Sequence, residues 1–261
     1  MLAKLDAIEL TRDAAKVVLQ GSRRRYYRFR RDRWYGGIVT ADVVGCNLRC
    51  VFCWSRSRDP HSPGRLYSPE EVAERLWLLA SRHGVKQARF SGGEPTIGWE
   101  AHGLKAARII VRDYGLHLVL ETNGVLIGLD RSIARSIADL ASQGSIEVRV
   151  SIKGATPETF ERITLVDSKY WWAQINALRS LVEEGLKPGD EVYPAIMLSF
   201  NNEDEVRGLL KLLRDIHPAL AENIDPEYVI MYPHVRDRLR RARIWPKRYF
   251  NPGEPLPDWM I

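Results

Sequence analysis

The three cysteines of this 261-residue chain, Cys46, Cys50 and Cys53, lie close together in one short segment. Three thiolates at this spacing can face a single centre only if the backbone folds around it. A set of thiolates of this kind suits zinc or an iron–sulfur cluster. A 4Fe–4S cluster is normally held by four cysteines. Because the chain has no fourth cysteine, one iron of such a cluster would remain open to another ligand.

Two other interpretations of the cysteines stay open at this point. Zinc could be bound with His61 as the fourth ligand, but structural zinc sites usually draw their ligands from two short pairs, and there is no second pair here. Three buried cysteines without a ligand would behave as small hydrophobic residues and would not need to be clustered. We therefore favour the iron–sulfur cluster over either alternative.

The segment resembles the signature of the radical S-adenosylmethionine (SAM) superfamily, in which cysteines spaced C-x3-C-x2-C have an aromatic residue before the last one. Phe52 stands at that position. The resemblance implies that Cys46, Cys50 and Cys53 bind three irons of one 4Fe–4S cluster and that SAM chelates the fourth. It also implies a one-electron donor such as ferredoxin or flavodoxin. Reduction would then cleave SAM to methionine and a 5′-deoxyadenosyl radical that abstracts hydrogen from a substrate.

Two further motifs follow predicted strands, and each has a simpler interpretation as a turn. Gly92 and Gly93 precede Glu94, and paired glycines let a ligand approach the backbone closely. The superfamily carries a Gly-Gly-Glu motif at this place, which implies that these three residues recognise the amino group of SAM. Asn123 lies in a Thr-Asn-Gly sequence, which is common in turns. The sequence resembles the Thr-Asn-Gly element of activating enzymes in the same superfamily, which implies that Asn123 hydrogen-bonds to the ribose or methionine part of SAM.

Three polar residues complete the candidate SAM site that the resemblance implies. Ser151 and Lys153 end a predicted strand and point the same way, because strand side chains alternate with a period of two. Lys153 matches the Asp-Leu-Lys sequence of glycyl-radical activating enzymes, whereas Ser151 departs from that aspartate. Arg162 stands where some relatives carry an arginine that binds the SAM carboxylate, although a solvated helix arginine is an equal alternative.

Strands alternate with helices along the chain, which predicts parallel strands joined by crossover helices. Six such units do not close an eight-stranded barrel, so the predicted fold is α/β, a partial (β/α)6 TIM-like barrel. In such barrels the active site lies at the carboxyl ends of the strands, where the motifs fall. Strands are predicted at 38–44, 87–90, 116–121, 146–152, 192–199 and 228–232, and the longer helices at about 3–19, 68–84, 98–114, 130–142, 169–184 and 203–216.

The sequence predicts three regions, of which the central one carries the barrel. Residues 1–37 form an N-terminal helix with a basic, aromatic extension, residues 38–232 the radical SAM core, and residues 233–261 a basic, proline-rich tail. No apolar run is long enough to cross a bilayer, and the N-terminus does not read as a signal peptide. With thiols arranged as ligands, this predicts a cytoplasmic protein with no membrane partner.

The net charge of +6 is concentrated in two arginine-rich segments, Arg23–Arg33 and Arg236–Arg248, which also contain aromatic residues. Basic segments with stacking side chains can bind nucleic acid. They can equally form surface ion pairs, as in heat-adapted proteins. We favour ion pairs for both segments, because no known nucleic-acid-binding motif is present.

These observations predict a radical SAM enzyme with a single cluster. Its small size and Lys153 suggest an activating-enzyme-like protein that acts on a glycyl-radical enzyme or another macromolecule, with the substrate itself unidentified. A radical SAM enzyme that modifies RNA is one alternative, and a non-enzymatic zinc- or RNA-binding module is another. Because the cofactors supply the reactive species, we expect no catalytic acid–base pair.

Overall fold

The computed structural model of the protein describes residues 4–254, in which ten α-helices and eleven strands are found. The strands are β1 (Leu19–Gln20), β2 (Arg23–Asp32), β3 (Ile38–Val43), β4 (Arg65–Tyr67), β5 (Gln87–Gly92), β6 (His117–Thr122), β7 (Ile146–Ile152), β8 (Val192–Met197), β9 (Asp225–Glu227), β10 (Val229–Ile230) and β11 (Tyr249–Phe250). The helices are α1 (Ala7–Val18), α2 (Pro69–His83), α3 (Leu104–Arg108), α4 (Val125–Leu129), α5 (Arg131–Ala141), α6 (Pro157–Thr164), α7 (Lys169–Glu183), α8 (Glu203–Ile216), α9 (Pro218–Glu222) and α10 (Pro233–Ala242).

Six parallel strands form the centre of the fold in the order β3, β5, β6, β7, β8, β9. The strand β2 pairs antiparallel with the outer edge of β3, and β1 and β4 pair in turn with β2. This arrangement confirms the α/β partial (β/α)6 barrel. It also brings all the loops that follow the parallel strands to one end of the barrel.

Several helices begin where their sequence predicts. Ser68 and Glu71 form a capping box at the start of α2, with Pro69 in its first turn. The side chains of Asp130 and Thr156 cap α5 and α6 by accepting backbone N–H groups. These caps satisfy amide donors that an isolated helix start leaves unpaired.

The sixth strand and one helix differ from their predictions. Residues 225–227 rather than 228–232 pair with β8, whereas Val229–Ile230 pair with β11 in a separate two-stranded sheet. By composition, residues 228–232 resemble a strand more than Asp225–Glu227 do. Asp225 and Glu227 nevertheless lie in the barrel, because both form salt bridges with Arg149 on β7. The predicted helix 98–114 contains α3 between two π-helical segments, Trp99–Gly103 and Ile109–Asp113.

The two faces of the parallel sheet differ in polarity. Alternate residues on one face, such as Val43, Phe90 and Val150, pack with the helices into one apolar core. The opposite face lines the inside of the barrel and carries polar side chains that bond to one another across the strands; we call it the charged interior. It includes Thr40, Asp42, Arg89, Ser91, Glu121, Arg149, Ser151, Asp225 and Glu227.

The two ends of the chain are also structured where they are described. The basic extension forms β2, with Arg30 opposite Thr40 on the first core strand. The start of the predicted tail forms α10, and residues 255–261 lie outside the described residues. The boundaries at 37/38 and 232/233 stay predictions. No helix in residues 4–254 has the length and apolar character needed to cross a membrane.

Candidate active site

The loop that carries the cysteines, residues 45–53, follows β3 and is held on two sides. Gly45 begins it with a φ of 89°, a conformation that favours glycine, and its N–H donates to Ser57 O (2.7 Å). Farther along, the N–H groups of Arg49 and Val51 donate to the last carbonyls of α6, at 3.1 and 2.9 Å. The loop therefore has a fixed backbone within the described protein.

All three cysteines are free thiols, of which Cys50 is buried and Cys46 and Cys53 are partly buried. The backbone N–H of Leu48 donates to Cys46 Sγ (3.4 Å), as does Asn123 Nδ2 (3.8 Å). Burial raises the pKa of Cys46 to about 12 and also raises that of Cys50. These thiols are therefore neutral unless a cation binds and displaces their protons.

His61, the proposed fourth ligand of the zinc alternative, is exposed, and its backbone N–H donates to Asp59 Oδ1 (2.9 Å). Among residues 4–254, no three His, Cys, Asp or Glu side chains already converge on a position for a single metal ion. The three cysteines are therefore close in the chain and share a loop, but their thiols do not form a closed mononuclear site.

The Gly-Gly-Glu loop packs directly against the start of the cysteine loop. Gly93 N–H donates to Val43 O (2.9 Å) and Glu94 N–H to Gly45 O (2.8 Å). A Cβ atom at Gly93 would lie 2.2 Å from Gly45 O, and one at Gly92, where φ is 95°, would lie 3.0 Å from the Asp42 backbone. Gly93 is thus required by the close approach of the two loops, and Gly92 by the close approach of β3 and by its positive φ.

The Glu94 carboxylate is buried and joins the two later motifs. Its oxygens accept from Thr96 N and Oγ1, from Thr122 Oγ1 (2.6 Å) and from Asn123 N (2.8 Å). Sequence reasoning assigned Glu94 to a ligand, and the structure adds a second role. This carboxylate holds the Thr-Asn-Gly loop at the end of β6 against the Gly-Gly-Glu loop.

One buried amide beside the cysteines has no partner. Asn123 Nδ2 donates to Asn47 Oδ1 (2.8 Å), and Asn123 Oδ1 accepts from Val125 N (3.0 Å). Asn47 Nδ2 is buried and has no hydrogen-bond acceptor among the described protein atoms. Buried donors are nearly always satisfied. A group bound next to Cys46 would supply the missing acceptor, so these residues fit a ligand at the cysteine loop.

Arg24, which sequence reasoning left within the basic extension, is a buried residue that braces both loops. Its guanidinium donates to Ile97 O (2.5 Å), Glu94 O (2.9 Å) and Val44 O (3.3 Å). Burial lowers its pKa to about 10, so the group remains charged at neutral pH. Arg24 therefore ties β2 to the residues that precede the cysteine loop and follow the glycine pair.

Ser151 and Lys153 meet around an acid that sequence reasoning missed, Glu227. Lys153 Nζ and Arg149 Nη1 each lie 2.8 Å from the Glu227 carboxylate, and Ser151 Oγ donates to it at 2.9 Å. Burial acts to raise the pKa of Glu227, but the two cations hold it at about 2. Any ligand that contacts Lys153 must therefore share it with a carboxylate.

A second ion network occupies the other side of the charged interior. Arg89 bonds to Asp32 and to Glu121 (3.0 Å), and Ser91 Oγ donates to Glu121 (2.5 Å). The cations Arg28, Arg30, Arg89, Arg149 and Lys153 are matched by the acids Asp32, Asp42, Glu121, Asp225 and Glu227. The interior below the cysteine loop is therefore polar and balanced in charge.

Phe52 and Arg162 lie on the side of the cysteine loop that faces α6. The ring of Phe52 contacts that of Phe200 (centroids 5.5 Å apart), and Arg162 Nη2 donates to Phe200 O (3.3 Å). Both predicted residues are therefore brought to the same place through Phe200.

The helix α10 lies over the cysteine loop, although the sequence predicted a tail there. Arg238 donates to Cys53 O, and the Nε2–H of His234 donates to Trp54 O (2.9 Å). From the loop that follows the cysteines, Arg58 donates to Cys50 O (2.8 Å). Two arginines thus bond to the backbone of the last two cysteines, and a histidine bonds to the residue that follows them.

Comparison with known proteins decides the family. The model of the radical SAM superfamily matches residues 42–213, which include the cysteine loop and both motif loops. The chain belongs to the radical SAM superfamily. It is therefore an enzyme whose cofactors are a 4Fe–4S cluster and SAM, and its chemistry needs an electron donor and a substrate.

Three curated relatives of this radical SAM protein carry names of two kinds. A probable GTP 3′,8-cyclase of Thermococcus kodakarensis is 33% identical over 142 residues, 54% of this chain and 41% of the relative. A Methanosarcina acetivorans protein of the same name is 27% identical over 74% of this chain and 58% of its own length. The Fe-coproporphyrin III synthase of Methanosarcina barkeri is 34% identical over 55% of this chain and 33% of its own. The chain thus matches between a third and three fifths of the length of each.

Solved structures share the fold of this radical SAM protein at low sequence identity. Streptococcus suis SuiB, bound to S-adenosylmethionine, aligns with a TM-score of 0.55 and 17% identity over 76% of this chain and 43% of SuiB. A spore photoproduct lyase aligns with a TM-score of 0.51 and 15% identity over 76% and 58% of the two chains. At these identities the comparison shows the barrel alone.

Proposed function

We propose that this radical SAM enzyme holds three irons of one 4Fe–4S cluster on Cys46, Cys50 and Cys53 and binds SAM at the remaining iron. One observation carries the proposal: the cysteine loop, which packs against the Gly-Gly-Glu loop, contains a buried amide, Asn47 Nδ2, that has no partner in the described protein. When bound, the cluster and SAM supply a 5′-deoxyadenosyl radical that abstracts a hydrogen atom from the substrate.

The chain's own residues hold and orient these groups. Arg24 and the end of α6 fix the two loops, and Glu94 positions Asn123. We assign contacts with SAM to Phe52, Gly92, Gly93, Glu94, Asn123, Ser151, Lys153 and Arg162. The ammonium group of Lys153 already pairs with Glu227, so the carboxylate of a ligand can bind to it only as a second partner.

The substrate that fits this site best is a small polar molecule. The charged interior offers ionised and hydroxyl side chains, whose burial against an apolar substrate would leave them poorly solvated. Two of the relatives are named for GTP and for Fe-coproporphyrin III, which are both ionised small molecules. Activation of a partner protein is the second candidate, and it is favoured by Lys153 at the end of β7, as in activating enzymes.

Release of 5′-deoxyadenosine tests the proposed function. Anaerobically reconstituted protein, reduced with dithionite and given SAM, should release 5′-deoxyadenosine without substrate, and Cys50→Ala should not. A cell extract divided by ultrafiltration then tests the substrate class. The filtrate should raise the rate if the substrate is small, whereas the retained fraction should raise it if the substrate is a protein. No 5′-deoxyadenosine from the wild-type protein would contradict the proposal.

A further inference from the structure

The surface nearest to the last two cysteines is formed by α10 and the loop after the cysteines. A cleft of about 320 Å³ lies between them, lined by Arg56, Arg58, Arg238 and Arg241 together with His234, Asp59 and Asp237. Two of these arginines bond to the carbonyls of Cys50 and Cys53. The floor of the cleft is therefore the backbone that carries the thiols.

The arginines of this surface have no salt-bridge partner among the described residues, although Asp59 and Asp237 line the same cleft. In residues 4–254 no salt bridge is formed by Arg56, Arg58, Arg236, Arg238, Arg240 or Arg241. We call these six residues the α10 surface. Arg236 and Arg240 are both exposed and stand four residues apart on one helix face, where like charges destabilise the helix. Arg240 and Arg241 lie in the last turn, where the helix dipole favours cations, but the spacing of Arg236 and Arg240 does not stabilise the helix.

Exposed aromatic side chains adjoin the same surface. Trp54 follows the last cysteine and is 44% exposed, and Trp245, three residues beyond α10, is 49% exposed. Arginine and large aromatic residues are the types enriched at protein interfaces. Charge and composition therefore both fit an acidic macromolecular partner.

We propose that the α10 surface binds the acidic one-electron carrier that reduces this enzyme, a flavodoxin or a ferredoxin. The inference rests on the proposed function, which requires an external electron. Electron transfer is faster when the carrier binds closer to the cluster. Two arginines of the α10 surface bond directly to cysteine carbonyls, so a carrier bound there would lie next to the cysteine loop. This contact favours a carrier over RNA, which would need the charge but not its place beside Cys53.

The electron balance of the docked complex is simple. The reduced carrier would lose one electron, the cluster that Cys46, Cys50 and Cys53 would hold would gain it, and no bond would form or break in that step. The complementary charges speed the encounter of the two proteins, and their effect weakens as salt screens it.

Direct binding of an oxidised flavodoxin to the reconstituted enzyme tests this proposal. The variant Arg56→Glu/Arg241→Glu changes two exposed residues whose side chains form no hydrogen bond or salt bridge with residues 45–53 in the described chain, and Arg214→Glu, an exposed residue in the last turn of α8, is the control for a single charge reversal elsewhere. The double variant should weaken the dissociation constant by about tenfold or more, and added salt should weaken binding of the wild type more than that of the variant. Arg214→Glu should bind as the wild type does.

Turnover with two reductants separates this inference from the proposed function. With dithionite, the double variant and the wild type should release 5′-deoxyadenosine equally, whereas with reduced flavodoxin the variant should be slower. Failure of the wild type with dithionite would contradict the proposed function and leave the binding result standing. The inference would be overturned if the wild type, the double variant and Arg214→Glu all bound flavodoxin with the same affinity and all bound ferredoxin with the same affinity. So would tight RNA binding at physiological salt that the double variant loses.

Discussion

The two arginine-rich segments of the chain have similar composition but opposite surroundings. In β2, Arg23, Arg28 and Arg30 pair with acids, and Arg24 is buried among carbonyls. In α10 the arginines point to solvent or to cysteine carbonyls and have no acidic partner in the described chain. The difference shows that neighbouring elements, not composition, decide whether basic residues build the fold or charge a surface.

The prediction of ion-pair faces therefore fits the first segment better than the second. Asp42 is on the strand beside β2, and Glu71 opens the helix that packs against it, so acids are available there. The cleft at α10 does contain Asp59 and Asp237, but neither forms a salt bridge within residues 4–254. Experiments on matched arginines can break or sharpen this contrast.

The largest effect is expected at Arg24. Arg24→Met removes a donor from three carbonyl oxygens, of which Glu94 O keeps the N–H of Ile97 (3.3 Å). The other two lose the donor that the side chain gives them, and each unsatisfied group costs about 1–3 kcal/mol. We expect the free energy of unfolding to fall by roughly 3 kcal/mol or more in urea titrations. The reconstituted variant should also retain less iron.

The neighbouring residue provides the control for Arg24. Arg23→Met removes an exposed pair with Glu71, which is worth about 0–1 kcal/mol. Arg24→Lys keeps the charge with fewer donors and should fall between the two. Equal stability of the Arg23 and Arg24 variants would show that the hydrogen bonds of buried Arg24 do not stabilise the fold.

A pH-dependent effect is expected from His102, which anchors β2. The hydroxyl of Tyr26 donates to its Nε2 (2.8 Å), and its Nδ1–H donates to Ser22 O (2.8 Å). Burial lowers the pKa of His102 from 6.5 to about 4. Between these values the unfolded chain binds more protons, so stability falls as pH falls from about 6.5 towards 4.

The size of this effect can be measured against a variant. Acidification from about pH 6.5 to 5 should cost up to about 2 kcal/mol through this group, at 1.36 kcal/mol per pKa unit. His102→Gln should flatten the dependence in that window when urea midpoints are compared. An unchanged slope in the variant would mean that other groups cause the acid sensitivity.

The smallest effects come from charge reversal at exposed members of the two segments. Arg28→Glu sets a second carboxylate against buried Asp42 and should cost about 1–2 kcal/mol. Arg240→Glu removes a like-charge contact with Arg236 and should change stability by no more than about 0.5 kcal/mol. Thermal unfolding of the two variants at one protein concentration would compare them. A larger loss for Arg240→Glu would reverse the contrast.

Much of the barrel could be predicted because its elements carry local signals. Ser68 with Glu71, Asp130 and Thr156 mark helix starts by their own hydrogen-bonding chemistry. The strand β2 could not be found in this way, because arginines on both of its faces hide the alternation that buries Arg24 and Tyr26. Asp225–Glu227 was missed because its strand character comes from pairing with Arg149 across the barrel.

The candidate site was predictable where the spacing of residues carried it. The three cysteines, Gly93 and Asn123 stand in short motifs, and the structure brings their loops together. Arg24, Glu227 and Arg238 lie far from these motifs in sequence and have no local pattern of their own. Only the tertiary structure shows that they contact the same loops.

Iron and sulfide analysis of the anaerobically reconstituted protein tests the central assignment most directly. The wild type should bind about four irons and about four sulfides per chain. Its reduced form should give an electron paramagnetic resonance signal that changes when SAM is added. Replacing Cys46, Cys50 or Cys53 by alanine should abolish the cluster. Stoichiometric zinc without iron uptake would contradict the assignment. So would a resonance signal of the reduced protein that does not change when SAM is added.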